Sequence, residues 1–335
     1  MEIGIISYGT YFPSLRITRA EYQKALGSCG ASFSEKTVAD FDEDSLTMGI
    51  AAAKDALAEG INPEEISLLA WASTSPPYSE KSLSGSLTEM LGLRKNLFST
   101  EHGQSTRAGG EAFLTAISLL KGGFGQKALV IIADSARANV KDPIEHGLAA
   151  GSAAFILGRE NPLAVVDGFA AQVQENLGER FRKAGSNDLK DIGVKTFTSK
   201  AYENLMANTV NELMEKENQK PADYNYIILH EMDNRLPLKV GKKLGFREEQ
   251  IIPGQLYENT GDTGAASPFL SLAAVLDQAK PGEKIIVAVY GSGAGTLAFS
   301  LTVRRAVDKI PLREKLNYDK KYLNFIQYLK VKRYL

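Results

Sequence analysis

Cysteine is nearly absent from this chain: one residue, Cys29, in 335. A single thiol excludes an internal disulfide, and the three histidines leave little with which to build a metal cluster. An excess of either charge is lacking too, with 39 Lys and Arg against 40 Asp and Glu. The formal net charge of −1 gives no electrostatic footprint for nucleic acid. No apolar run approaches the roughly 18 to 20 residues of a membrane span. The opening Met1-Glu2-Ile3-Gly4-Ile5 lacks a basic segment followed by a long apolar stretch, so no signal peptide is expected. These absences predict a soluble, cytoplasmic protein, away from nucleic acid and membrane, long enough for one large domain or two halves.

What is present is layered periodicity. Short β-branched runs alternate with longer amphipathic segments, which predicts an α/β fold. In the first half, strands are expected at 3–8, 68–72, 129–133, 152–157 and 163–166, and helices at 45–59, 81–91 and 109–121. Asp42-Glu43-Asp44 suits the N-terminus of the first helix. In the second half, a helix is expected at 199–216 with Ser199 as its N-cap, then a strand at 226–230 and helices at 239–244 and 266–279. A hairpin of 284–290 and 296–303 closes around Gly291-Ser292-Gly293-Ala294-Gly295. The run 129–134 followed by 151–155 echoes 285–290 followed by 291–299. This predicts duplicated halves, 1–167 and 168–335, the second including a C-terminal helical tail. The polar, patternless stretch 180–195 is expected to be a mobile excursion.

Three places offer chemistry. Gln104-Ser105-Thr106-Arg107-Ala108-Gly109-Gly110 reads as a strand-to-helix elbow. His230 ends an apolar strand, where α/β folds tend to place sites; a buried histidine satisfied by backbone is the plainer alternative. Asn259 lies in Glu258-Asn259-Thr260-Gly261-Asp262-Thr263-Gly264, which is also ordinary turn material. The glycine run 291–295 is no phosphate loop, because a strand and not a helix is expected after it. The basic residues after Asp308 alternate with Glu314, Asp319 and tyrosines, as in a solvated helix packed on the body. Cys29 is incidental.

Several segments, in order along nearly the whole chain, resemble the 3-hydroxy-3-methylglutaryl-CoA synthases of the thiolase superfamily. The likeness is greatest to their short archaeal-type branch, with relatedness to 3-oxoacyl-ACP synthase III. It is carried by Ile5-Ile6-Ser7-Tyr8-Gly9-Thr10-Tyr11-Phe12-Pro13, Glu35-Lys36, Asp42-Glu43-Asp44-Ser45-Leu46-Thr47-Met48, His230, Leu236-Pro237, Lys242-Lys243-Leu244-Gly245-Phe246, Asn259-Thr260, the glycine run and the ending Tyr322-Leu323-Asn324-Phe325. The resemblance implies a thiolase-like fold of two halves in five layers, α-β-α-β-α. It also implies a site in which a cysteine accepts the acyl group from CoA, a histidine and an asparagine surround the thioester, and a glutamate is general acid/base. On that pattern Thr106 stands at the cysteine and Thr74, within Ser73-Thr74-Ser75-Pro76-Pro77-Tyr78, at the glutamate. His230 is retained, and Asn259 would face it.

Two readings follow from the resemblance. In one, the chain is a subunit of a multicomponent acyltransferase, inert alone, in a homo- or hetero-dimeric core. There a thiolase-like partner supplies the cysteine and a small OB-fold/zinc-ribbon protein bridges them. In the other, Ser105 or Thr106 is acylated with His230 as base. Neither needs a tightly bound cofactor; a CoA thioester would be the substrate. Superfamily pairing through an edge strand points to the segment around 96–100.

Overall fold

The computed structural model describes residues 2–175, 179–293 and 295–335. Its strands are β1 (Gly4–Tyr11), β2 (Leu15–Thr18), β3 (Glu35–Val38), β4 (Ile66–Ala72), β5 (Phe98–His102), β6 (Lys127–Ser135), β7 (Ala150–Gly158), β8 (Ala164–Gln172), β9 (Tyr226–Leu229), β10 (Lys284–Gly291), β11 (Gly295–Val303) and β12 (Lys321–Tyr322). Between them run α1 (Arg19–Leu26), α2 (Ser45–Leu57), α3 (Ser84–Leu91), α4 (Ala108–Lys121), α5 (Pro143–Gly147), α6 (Lys195–Lys216), α7 (Leu236–Lys243), α8 (Glu248–Ile251), α9 (Tyr257–Thr260), α10 (Ser267–Leu276), α11 (Leu312–Lys315) and α12 (Phe325–Val331). Asp44 caps α2 as its acidic lead-in predicts. Its carboxylate accepts from Thr47 N at 2.8 Å, and the Thr47 hydroxyl accepts from Asp44 N at 2.9 Å.

Nine strands form one mixed ladder, ordered β5-β4-β6-β7-β1-β8-β11-β10-β9. The order is mirrored about the β1–β8 seam. β4 runs parallel to β6, which pairs antiparallel with β7 and through it with β1. Likewise β9 runs parallel to β10, which pairs antiparallel with β11 and through it with β8. This is the duplication in structural form. Within the ladder the two halves pair at Gly4↔Val165 and Ile5↔Ala164, where a Cβ on Gly4 would lie 2.0 Å from the Ala164 carbonyl oxygen. The expected boundary at 167/168 falls inside β8, which pairs with β11 along most of its length.

The layers follow from strand alternation. Leu68, Ala70, Ala72, Val130 and Ile132 share a central core with Ile285, Val287 and Val289 and with α4 and α10. Their neighbours Leu69, Trp71, Leu129 and Ile131 face outward under α2 and α3. Ile286, Ala288 and Tyr290 face outward under α6 and α7. The result is helix, sheet, helix, sheet, helix. In the middle layer a Cβ on Gly109 would lie 2.8 Å from the Ala265 carbonyl oxygen, which fixes how closely α4 meets the start of α10.

Two placements differ from the expected pattern. Helix α6 starts at Lys195, so Ser199 lies inside it; the buried face of Tyr202, Leu205, Met206 and Val210 sets the helix, and a local cap signal does not. The tail packs on the first half: β12 pairs parallel with β2, and Phe325 and Tyr328 join Tyr22 and Phe33 in one cluster. Under it the buried Lys36 amine donates to the Glu145 carbonyl at 3.0 Å and to the Tyr328 hydroxyl at 3.2 Å, and burial lowers its pKa to about 8.

Candidate active site

The elbow connects edge strand β5 to central helix α4. Gln104 takes a φ of +70°, a left-handed conformation unusual outside glycine, and turns the chain sharply into Ser105 and Thr106. Thr106 is buried, and its hydroxyl donates to the Tyr290 carbonyl at 2.8 Å. Ser105 Oγ accepts from Arg107 N–H at 3.2 Å. The hairpin of the second half closes directly on this turn. A Cβ on Gly291 would lie 1.9 Å from Ser105 Oγ and 2.7 Å from Arg107 N, which is why the β10–β11 loop begins with glycine. β11 follows that loop, so the helix a phosphate loop requires is not there. Ala294 of the loop lies outside the described residues.

His230 follows β9 and is fully buried. Its Nδ1 accepts from Tyr290 N–H at 3.4 Å, which leaves the proton of the neutral ring on Nε2. Burial, and secondarily the charge of Arg180, push its pKa down to about 3. The peptide units of Tyr290 therefore hold both groups, accepting the Thr106 hydroxyl and donating to the imidazole. Thr106 and His230 come together around one residue, but the hydroxyl is bonded to a carbonyl oxygen and not to the ring.

Thr74, at the position implied for the glutamate, is buried against a carboxylate from another strand. Asp134, at the end of β6, accepts five hydrogen bonds. Ser73 Oγ (3.1 Å), Thr74 N (2.7 Å) and Ser75 Oγ (2.8 Å) reach Oδ1; Thr74 Oγ1 (2.9 Å) and Ala265 N (2.7 Å) reach Oδ2. Two carboxylate oxygens offer about four lone-pair sites. Asp134 is saturated, so it clasps the β4 loop to the start of α10 and is unavailable to a substrate proton.

Asn259 is not brought to His230. α9 buries Tyr257 and Thr260, three residues apart on one face, and this turns Asn259 outward to solvent. The residue that reaches inward is Asp262. Its Oδ1 accepts from Gly264 N at 2.8 Å, and its Oδ2 pairs with Arg180 Nη1 at 2.6 Å. Arg180 belongs to the stretch expected to be mobile, which is instead strapped across both halves. Glu179 accepts from the Tyr290 hydroxyl, Arg182 donates to the Thr74 carbonyl, Asp188 pairs with Arg137 at 3.1 Å, and Leu189 bridges Ala138. Polar residues without periodicity signal point contacts here. Next to His230, Glu231 is also fully buried. Its carboxyl accepts from Leu256 N, Tyr257 N and Ser271 Oγ, yet burial outweighs those bonds and raises its pKa to about 7.

Among the described residues no helix is long and apolar enough to cross a membrane. Residues 214–305 match the family model for the C-terminal part of 3-oxoacyl-[acyl-carrier-protein (ACP)] synthase III. The chain is 32% identical to the hydroxymethylglutaryl-CoA synthase of Methanopyrus kandleri over 346 residues, covering 100% of this chain and 98% of that protein. It is 32% identical to that of Pyrococcus furiosus over 339 residues, covering 99% and 96%. Its fold matches that of an HMG-CoA synthase complexed with CoA at a TM-score of 0.86 and 21% identity, covering 99% of this chain and 90% of that one. It also matches 3-oxoacyl-[acyl-carrier-protein] synthase III from Aquifex aeolicus at 0.82 and 22%, covering 90% and 99%. The solved structures establish a thiolase-like fold, and the full-length identities establish the lineage: this chain belongs to the hydroxymethylglutaryl-CoA synthase family, as a member with no cysteine at the elbow.

Proposed function

We propose that this chain is a non-catalytic, HMG-CoA-synthase-like subunit of a multicomponent acyl-CoA acyltransferase that forms or cleaves C–C bonds. A thiolase-like partner carries the cysteine, and a small OB-fold/zinc-ribbon protein bridges the two. A CoA thioester is the substrate of the assembly, which works in the cytoplasm without a tightly bound cofactor.

The observation that carries this reading is the state of the elbow. The Thr106 hydroxyl is bonded to the Tyr290 carbonyl, and the neighbouring imidazole has a pKa near 3. A hydroxyl nucleophile needs a hydrogen-bonded base whose pKa lies near the working pH. His230 meets neither condition, which weighs against the independent acyltransferase built on Ser105 or Thr106.

Pairing uses β5. Among the described residues it ends the nine-stranded ladder with β4 as its one strand neighbour, and the exposed ring of its Phe98 meets that of Phe124 edge to face at 5.0 Å. A bare strand edge is an aggregation hazard that a stable protein covers, and obligate interfaces of this kind bury upward of about 2,000 Å². Light scattering of tag-free protein is expected to give a dimer or larger, and native pull-down a thiolase-like subunit identified by mass. A stable monomer that retains no thiolase-like partner contradicts the complex and returns the serine/threonine reading to first place.

A further inference from the structure

The buried site holds two hydrogen-bond donors with no acceptor among the described residues. One is His230 Nε2, which carries the ring proton because Nδ1 accepts from Tyr290 N–H. The other is Arg180 Nη2, on a guanidinium whose Nη1 is bonded to Asp262. The two residues are tied through one neighbour. Glu179, immediately before Arg180, accepts from the Tyr290 hydroxyl, and the Tyr290 N–H donates to His230. His230 is fully buried and the Arg180 side chain is only 13% exposed. A buried donor left without a partner is costly, so each of these two calls for an acceptor from outside the chain, a water or a ligand.

We infer that Arg180 is the second donor of a cradle that, with His230, receives the acyl carbonyl oxygen of a CoA thioester, the place the family resemblance gives to Asn259. This rests on the reading of the chain as part of an acyl-CoA assembly. The step is binding alone: each N–H donates to the carbonyl oxygen, and no covalent bond forms or breaks. Charge selects the occupant. The Arg180–Asp262 pair is net neutral and the imidazole is uncharged, while Glu179 and Asp134 lie in the same region. Such a site holds a neutral carbonyl in preference to a carboxylate. Asn259, on the solvent side of α9, takes no part.

Calorimetric titration of the intact protein with acetyl-CoA and with CoA separates the carbonyl from the rest of the ligand. The wild type is expected to bind acetyl-CoA about tenfold or more tightly than CoA, the size of one charge-assisted hydrogen bond. The paired variant R180Q/D262N leaves no unpaired buried charge and should lose that preference while its affinity for CoA is unchanged. R180K keeps the ion pair without the forked second arm and should lose most of it. N259A should keep it in full. A preference that survives in both Arg180 variants, or that disappears in N259A, overturns the inference. So does tighter binding of succinyl-CoA than acetyl-CoA, which would mean a carboxylate occupant. Equal affinity for acetyl-CoA and CoA means that water satisfies the donors, and it overturns the inference while leaving the acyl-CoA reading intact. Failure to bind either ligand overturns both.

Discussion

Truncating Phe113 to alanine is expected to destabilise the protein by about 3–5 kcal/mol, the usual cost of removing a fully buried phenylalanine. Phe113 projects from α4 into the middle layer and is completely buried. Its ring lies 4.9 Å from Phe299 on β11, 5.6 Å from Phe269 on α10 and 5.9 Å from Phe155 on β7. These partners come from both halves, so the lost ring opens a cavity where the halves meet. Rigid strands on two sides limit how far it can collapse. Denaturant unfolding followed by tryptophan fluorescence and by circular dichroism should show one coincident transition shifted to lower denaturant. Two separate transitions would mean that the halves are independent folding units. A change below about 1 kcal/mol would mean that this aromatic cluster does not join them.

The adjacent residues His230 and Glu231 should give opposing pH dependences that only mutation reveals. The unfolded histidine takes a proton near pH 6.5, whereas buried His230 does not until about pH 3, so its contribution to stability grows as pH rises between those values. Glu231 has the opposite sign. Unfolded it loses its proton near 4.5, and buried it keeps the proton to about 7, so its contribution falls as pH rises through that range. Between 4.5 and 6.5 each slope is about 1.4 kcal/mol per pH unit, and the two offset. Relative to wild type, His230→Gln should therefore lose about 3 kcal/mol of stability from pH 4.5 to 6.5, and Glu231→Gln should gain about the same. Any constant offset from imperfect hydrogen bonds in the glutamines leaves the slopes untouched. Variants whose stability tracks the wild type at every pH would contradict the buried, neutral state of both groups.

Much of this fold is legible in the sequence because its central strands are long, apolar and alternating, and the layers follow from that period. The β10–β11 hairpin and the elbow stand out for the same reason, since small residues interrupt strong strands there. The short strands β2, β3 and β12 are not legible: two to four residues carry no period, and β12 pairs with β2 across nearly the whole chain, Lys321 opposite Leu15. The site divides along similar lines. His230 is readable from its place at a strand end. Asp134 also ends an apolar strand, but five donor groups on four residues from two other segments define what it does, and no local pattern announces them. Asn259 and Asp262 share one polar turn, and only the inward face of α9 decides between them. The strap around Arg180 is opaque for a different reason. Its residues form no element, and their order reflects the buried groups they meet.

The central claim is that the elbow performs no acyl transfer by itself. Intact-mass measurement of the tag-free protein after incubation with excess acetyl-CoA tests it most directly. The elbow has no thiol, Thr106 is bonded to a carbonyl oxygen, and the nearby imidazole is too weak a base, so the mass should remain that of the unmodified chain. A stoichiometric acetyl adduct that disappears in Thr106→Ala or Ser105→Ala would contradict the account and make this chain a hydroxyl-based acyltransferase in its own right.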